Sequence, residues 1–209
     1  TQLHNSRYLR QYLETELRRT RRYGGQVAVI FIDLDGFKAV NDRYGHRVGS
    51  ETLKEMASLL MESVRDTDVV TRYGGDEFLL ILKDLPDVDA VIPIVAKLID
   101  ELSQPMMIDG RELSTSASIG IAMAPNDGSD FDTLSQRADT AMYRAKEEGR
   151  NTYRFFDDRM NQESIERLML RQELRRALEQ KQFVLFYQPQ VDLKTRKLIG
   201  IEALIRWRH

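Results

Sequence analysis

Val69-Val70-Thr71-Arg72-Tyr73-Gly74-Gly75-Asp76-Glu77-Phe78-Leu79-Leu80-Ile81-Leu82 contains two short apolar runs, 69–73 and 78–82, joined through a glycine pair and two acids. Runs of this length bounded by glycine read as strands, and the Gly74-Gly75 step signals a tight hairpin. Upstream, Val27-Ala28-Val29-Ile30-Phe31-Ile32 is unbroken and rich in β-branched residues, the pattern of a central strand buried on both faces. It runs into Asp33-Leu34-Asp35-Gly36. Before it, residues 6–22 place Tyr8, Leu9, Tyr12, Leu13 and Leu17 on one helical face, and Gly24-Gly25 ends the pattern.

Further helices and a strand follow the same logic. Residues 49–64 align Leu53, Met56, Ala57, Leu60 and Val64, residues 88–102 give a third helix, and 114–122 reads as a strand. Leu134, Ala138, Ala141, Met142 and Ala145 define a fourth helix that Gly149 is placed to stop. The order α-β-α-β-β-α-β-α predicts an α+β fold, an α/β sandwich. Its central antiparallel sheet, flanked by helices, is ferredoxin-like or polymerase-palm-like. After Asn151 the character changes. Residues 157–181 are highly charged and carry Ile165, Leu168, Leu174 and Leu178 at helical spacing, which predicts a connecting helix. Strand-like runs at 183–187 and 198–205 follow, and a two-stranded piece cannot bury its own apolar face. Residues 182–209 are therefore expected to open a second, truncated domain.

The bulk numbers narrow the function classes. With 209 residues, 42% hydrophobic and 31% charged, the chain is globular rather than disordered. A net charge of −2 gives no case for nucleic-acid binding through a broad basic face, so phosphate recognition must be local. The absence of cysteine excludes disulfides, thiolate metal sites and cysteine nucleophiles, and is compatible with a reducing, cytoplasmic setting. No apolar run approaches the ~20 residues of a membrane span, so no membrane contact is expected of this stretch. The chain opens at Thr1 without Met and reads as part of a longer protein, which leaves room for a membrane anchor elsewhere in the parent.

Chemistry concentrates in the acids. Asp33 and Asp35 end a buried strand, and Asp76 and Glu77 sit on the hairpin. If the two elements pair, three or four carboxylates meet at one edge, where they repel unless a cation lies among them. Hard oxygen ligands suit Mg²⁺ or Mn²⁺. Two such ions can activate a hydroxyl and stabilise a leaving phosphate. The residue types equally allow a strand-ending turn and a solvated hairpin tip, since acidic turns are common.

Arg72-Tyr73-Gly74-Gly75-Asp76-Glu77-Phe78 resembles the signature hairpin of the diguanylate cyclase (GGDEF) family. Phe31-Ile32-Asp33-Leu34-Asp35-Gly36-Phe37-Lys38-Ala39-Val40-Asn41-Asp42, with Tyr44-Gly45-His46 and Val48-Gly49, resembles its first strand and the loop beyond. Ser118-Ile119-Gly120-Ile121-Ala122 is similar to the strand before its closing helix. Ala141-Met142-Tyr143-Arg144-Ala145-Lys146 with Gly149-Arg150-Asn151 is similar to that helix itself. The resemblance covers residues 1–156. It implies an enzyme that joins two GTP molecules into cyclic di-GMP and releases two pyrophosphates, with two facing domains forming the active homodimer. Asp33 and Asp76 would bind metal, helped by the Leu34 carbonyl. Glu77 would bind a second metal or act as base toward the ribose 3′-hydroxyl. Gly36 and Phe37 amides would cradle GTP phosphates, Lys146 and Arg150 would neutralise the outer ones, and Asn41 would read guanine. Without the resemblance, Lys146 and Arg150 read as a cationic last helical turn facing the dipole.

One position departs from the family pattern. Ser50 stands where the family has an Asp that accepts hydrogen bonds from guanine, which predicts weakened affinity or selectivity for GTP. Arg65-Asp66-Thr67-Asp68 fits the family's RxxD inhibitory motif, implying that Arg65 and Asp68 bind cyclic di-GMP; alone, the pair reads as a surface ion pair. Tyr187-Gln188-Pro189-Gln190-Val191 and Glu202-Ala203-Leu204-Ile205-Arg206-Trp207 resemble the opening of an EAL phosphodiesterase domain. There Glu202 would bind metal and Arg206 the dinucleotide, although Glu202 on an apolar strand also reads as a paired structural acid. The remaining metal carboxylates of that family are absent from the chain, so no phosphodiesterase activity is expected of it. A regulatory module that binds GTP or cyclic di-GMP and controls an adjoining EAL domain is the alternative to a cyclase, and a dimerising scaffold is a third reading.

Overall fold

The computed structural model describes residue 3, residues 6–157, residues 174, 177 and 178, and residues 180–208. Two compact units divide the chain, Thr1–Met160 and Asn161–His209. Most of the expected connecting helix, 157–181, lies outside the described residues.

The first unit is built on β1 (Gln26–Asp35), whose interior residues are all buried. It is the middle strand of a five-stranded sheet. β2 (Val69–Gly74) and β3 (Glu77–Leu85) form the hairpin on one side; β6 (Ser116–Ala124) and β7 (Thr152–Phe155) lie on the other. β1 runs antiparallel to both β3 and β6, while β6 and β7 are parallel. The sheet is thus mixed rather than wholly antiparallel. The reason is the helix α5 (Phe131–Glu147) between β6 and β7, because a helical crossover returns the chain in the same direction.

The two faces of β1 sort by residue parity, as a period of two requires. Ala28, Ile30, Ile32 and Leu34 face a core that includes Leu53, Met56 and Leu60 of α3 (His46–Glu62) and Val95 and Leu98 of α4 (Ile92–Leu102). Val27, Val29 and Phe31 face Leu9, Leu13 and Leu17 of α1 (Ser6–Tyr23) and Leu134, Ala138 and Met142 of α5. Gly120 of β6 sets the depth of the α5 contact. A Cβ there would lie 2.0 Å from the Ala138 carbonyl oxygen and 2.1 Å from the Met142 nitrogen, so the helix backbone rests on a bare strand position.

Four elements have no counterpart in the sequence reading: α2 (Phe37–Tyr44), β7, and the small hairpin of β4 (Met106–Ile108) and β5 (Arg111–Leu113). In the second unit, β8 (Phe183–Val191) and β9 (Leu198–Trp207) pair antiparallel over Phe183↔Trp207 to Val191↔Leu198. Leu185, Tyr187, Ile199, Ile201 and Ile205 remain exposed on it.

Candidate functional site

Strand pairing brings the acids together. Asp33 of β1 stands opposite Glu77 of β3, and the Leu34 N–H donates to the Asp76 carbonyl at 3.3 Å. Across the hairpin, the Arg72 guanidinium donates twice to the Gly75 carbonyl, at 2.9 and 2.6 Å, which fixes the turn carrying Asp76 and Glu77. Because α5 lies close on Gly120, its last turn reaches the same edge. Lys146 Nζ sits 2.7 Å from Asp33 Oδ2.

The electrostatics follow from this crowding. Burial pushes the Asp33 carboxyl above the usual carboxylate range; Lys146 opposes the shift, and Asp76 and Asp35 add to it. Glu77 is also raised, first by burial and then by Asp33, Asp139 and Asp76, against Lys146. Asp139 joins the cluster from α5, and the sequence reading did not single it out. Its carboxyl is raised by desolvation and opposed by Lys146, though its outer side is open to solvent. The available signal was its spacing, since seven residues before Lys146 is the same helical face.

Among the described residues no three acid or histidine side chains converge on a ready-made metal site. The donor set nonetheless fits a hard divalent cation. Mg²⁺ keeps several waters and binds through one or two carboxylates plus substrate phosphates, rather than through a closed protein cage. Asp33, Asp76, Glu77 and the Leu34 carbonyl offer oxygen donors of that kind, and burial, with a further contribution from neighbouring acids, raises the Asp33 and Glu77 carboxyls.

Beside the acids, a cleft of about 320 Å³ is lined by Phe37, Asn41, His46, Ser50, Arg72 and Asp76, among others. Asn41, on α2, and Ser50, on α3, therefore share one cavity with a hairpin acid. Gly49 makes this possible, because a Cβ there would lie 2.0 Å from Asn41 Oδ1. His46 and Arg72 are cleft residues that the sequence reading did not assign. Gly36, at φ 71°, turns the chain out of β1 into α2, whose first residue, Phe37, is buried. Anions favour such a helix start, where backbone N–H groups are unpaired within the helix. Arg150 is 61% exposed, with Nε 3.9 Å from Asp35 Oδ1.

Arg65 and Asp68 share a second hollow, of about 220 Å³, with Leu3, Met61, Val64 and Val70. Each oxygen of the Asp68 carboxylate already accepts a backbone N–H, from Arg65 at 3.1 Å and Lys83 at 3.3 Å. The Thr67 carbonyl between them accepts from the Tyr12 hydroxyl of α1 at 2.6 Å. In the second unit, Glu202 and Arg206 lie exposed on β9, opposite Gln188 and Val184.

The mixed sheet with its acid-tipped hairpin beside a polar cleft is of α+β class, and comparison places it. The family model "Diguanylate cyclase, GGDEF domain" matches residues 1–152, and the chain belongs to that family. The EAL domain model matches residues 171–209. Over its whole length the chain is 46% identical to the bifunctional diguanylate cyclase/cyclic di-GMP phosphodiesterase MucR of Pseudomonas aeruginosa, spanning 30% of that protein. It is 39% identical over 183 residues, 88% of the chain, to the cyclic di-GMP phosphodiesterase PdeR of Escherichia coli, spanning 27% of it. Among solved structures, the GGDEF domain of YfiN (TpbB) from Pseudomonas aeruginosa superposes with a TM-score of 0.76 at 35% identity, over 78% of this chain and 95% of that one. The GGDEF domain of DgcB from Caulobacter crescentus, in complex with c-di-GMP, gives 0.67 at 25% identity, over 75% of this chain and 91% of that one. The chain spans about a third or less of the curated relatives it matches.

Proposed function

We propose that residues 1–156 are a diguanylate cyclase domain, joined through 157–181 to the start of an EAL domain at 182–209. The observation that carries the reading is the pairing of Asp33 with Glu77 beneath Lys146, next to the cleft that holds Asn41 and Ser50. GTP would lie with guanine against Asn41 and Ser50, its phosphates running past the Gly36 and Phe37 amides toward Lys146 and Arg150. Asp33, Asp76, Glu77 and the Leu34 carbonyl would hold Mg²⁺ or Mn²⁺. When bound, such an ion neutralises phosphate charge and acidifies a nearby hydroxyl. The 3′-oxygen of one GTP attacks the α-phosphorus of another, the bond to pyrophosphate breaks, and repetition closes the ring. Glu77, its affinity for a proton raised, is suited to take the hydroxyl proton. Each domain holds one GTP, so turnover requires two copies face to face.

The test is turnover by the purified chain, with GTP and Mg²⁺, followed as cyclic di-GMP and pyrophosphate. Asp76→Ala/Glu77→Ala should abolish product. A product yield unaffected by that double change would overturn the reading. A second reading rests on Ser50, which offers guanine one neutral acceptor where a carboxylate would offer two charged oxygens. In it the domain binds GTP or cyclic di-GMP and regulates an EAL domain. GTP binding without acid-dependent product would select it.

A further inference from the structure

Asp35 is set apart from the other acids. Its side chain is only 6% exposed, and the chemistry proposed above does not use it. Three donors surround its carboxylate, Ser116 Oγ at 2.7 Å, Ser118 Oγ at 2.8 Å and the Asn151 N–H at 3.2 Å, with the Arg150 guanidinium 3.9 Å away. The Thr115 hydroxyl donates to the Asp35 carbonyl at 3.0 Å. One buried group therefore binds the end of β1 to β6 and to the turn after α5.

That turn has a backbone that needs holding. Arg150 and Asn151 are consecutive non-glycine residues with φ of 65° and 46°. A Cβ disfavours this left-handed region, and residues persist there only when their surroundings over-determine it. The Arg150 N–H donates to the Ala145 carbonyl at 3.1 Å, and Ser103 Oγ donates to Asn151 Oδ1 at 2.7 Å. Asp35 supplies the remaining hold, on the Asn151 N–H and on the guanidinium itself. At 3.9 Å the guanidinium contact is one of charge rather than a direct hydrogen bond, so Arg150 keeps its donors for another anion.

We propose that Asp35 is a positioning residue: it fixes the Arg150–Asn151 turn and thereby aims the Arg150 guanidinium at the outer phosphates of the nucleotide. This rests on the reading of Arg150 as a phosphate contact. A carboxylate suits the place because every neighbour is a donor, whereas an amide would turn an NH₂ group toward some of them.

The test uses the whole chain, Mg²⁺ and calorimetry. The probes are a GTP analogue with a non-cleavable α–β bridge, and GMP. Asp35→Asn should weaken the triphosphate about tenfold, the effect of losing one aimed charge contact, and leave GMP affinity unchanged. Adding Asp35→Asn to Arg150→Ala should cost nothing beyond Arg150→Ala alone, because the two act through one contact. Additive losses, or an equal loss for GMP, would show a merely structural acid and overturn the proposal. If circular dichroism shows that Asp35→Asn does not fold, Ser116→Ala, which removes one donor and keeps the charge, enters the same cycle with the same criteria. If Arg150→Ala leaves triphosphate binding intact, the phosphate-contact reading itself fails and takes this proposal with it. If Arg150→Ala weakens binding but Asp35→Asn does not, only the positioning role is refuted.

Discussion

Gly120→Ala is the change by which the structure most directly couples packing to chemistry. The added Cβ would meet the Ala138 carbonyl oxygen at 2.0 Å, the Met142 nitrogen at 2.1 Å and the Met142 Cα at 2.8 Å. All three are helix backbone, so no side chain can rotate away. Ordinary contact requires α5 to lift by at least about 1 Å, and a gap of that size forfeits up to half of each dispersion contact along the interface. Overpacking costs about 1–3 kcal/mol, and a clash with rigid backbone belongs at the upper end. For a chain of this size 1 kcal/mol moves Tm by roughly 2–4 °C, so the expected fall is about 6–12 °C. Lys146 follows Met142 by one helical turn, so the shift should lengthen or re-aim its 2.7 Å contact with Asp33. Misplacement by about 1 Å can cost ~100-fold in turnover. Thermal melts and pyrophosphate release measure the two effects. Gly74→Ala is the stability control, since its Cβ would meet only Glu77 Oε2, at 3.7 Å. A Gly120→Ala chain that melts with the parent and turns over GTP equally would refute the account of how α5 is seated.

Ser50→Asp should tighten GTP binding about tenfold to a hundredfold by restoring a charged acceptor for guanine; unchanged affinity in calorimetry would remove Ser50 from base recognition. Arg65→Ala should weaken cyclic di-GMP binding, and undiminished binding would remove the Arg65–Asp68 hollow as its site. Asp130 caps α5 through the Thr133 N–H at 2.8 Å, and that bond, with the Thr133 hydroxyl, holds its carboxyl below the usual range. Asp130→Ala should therefore cost about 1 kcal/mol at neutral pH. A lowered folded-state pKa contributes stability above the ordinary carboxylate range and loses it as pH falls through the folded value, so urea melts of parent and variant should converge in acid. Chelation of divalent cations should weaken GTP binding, and titration of Mg²⁺ should restore it; affinity indifferent to both would contradict the assignment of the acids.

What the sequence disclosed depended on how local the signal was. β1 was legible from six apolar residues in a row, with Asp33 and Asp35 at its carboxyl end, where pairing with Ser118 and Ser116 of β6 holds the acids in the strand against their propensity. α2 escaped detection because it spans eight residues and buries only Phe37, which leaves no apolar stripe. β4, β5 and β7 are too short for a period of two to register. The same holds for the site. Asp33, Asp76 and Glu77 lie in contiguous motifs, so the resemblance could name them. His46 and Arg72 also lie in those motifs, but their place in the cleft comes from helix packing and hairpin closure, and Asp139 reaches the acids only through the packing of α5. Asp35 appeared as one more acid of the cluster. Its donors come from Ser116, Ser118 and Asn151, more than 80 residues away, and only the folded chain assembles them.

On the proposed function, the charge balance of the assembled edge would couple a cation to a nucleotide. Lys146 contacts Asp33 and Arg150 lies near Asp35, while Lys38 and Arg72 line the cleft with Asp76. Asp35 is compensated by its ring of donors, whereas Asp33, Glu77 and Asp139 all depend on Lys146. The raised carboxyls of Asp33 and Glu77 show that this lysine does not offset burial and mutual repulsion. A triphosphate adds further negative charge to a site already short of cations. Lys146 cannot stay fully committed to Asp33 and also neutralise a phosphate, so nucleotide entry on its own would release one anion to bind another. On the proposed function, a divalent ion among the acids would resolve the conflict, because it would take over the compensation of Asp33 and free Lys146 toward the phosphates. Cation and nucleotide affinities governed by the Asp76–Glu77 hairpin would then be joint, each ligand lowering the electrostatic cost of the other.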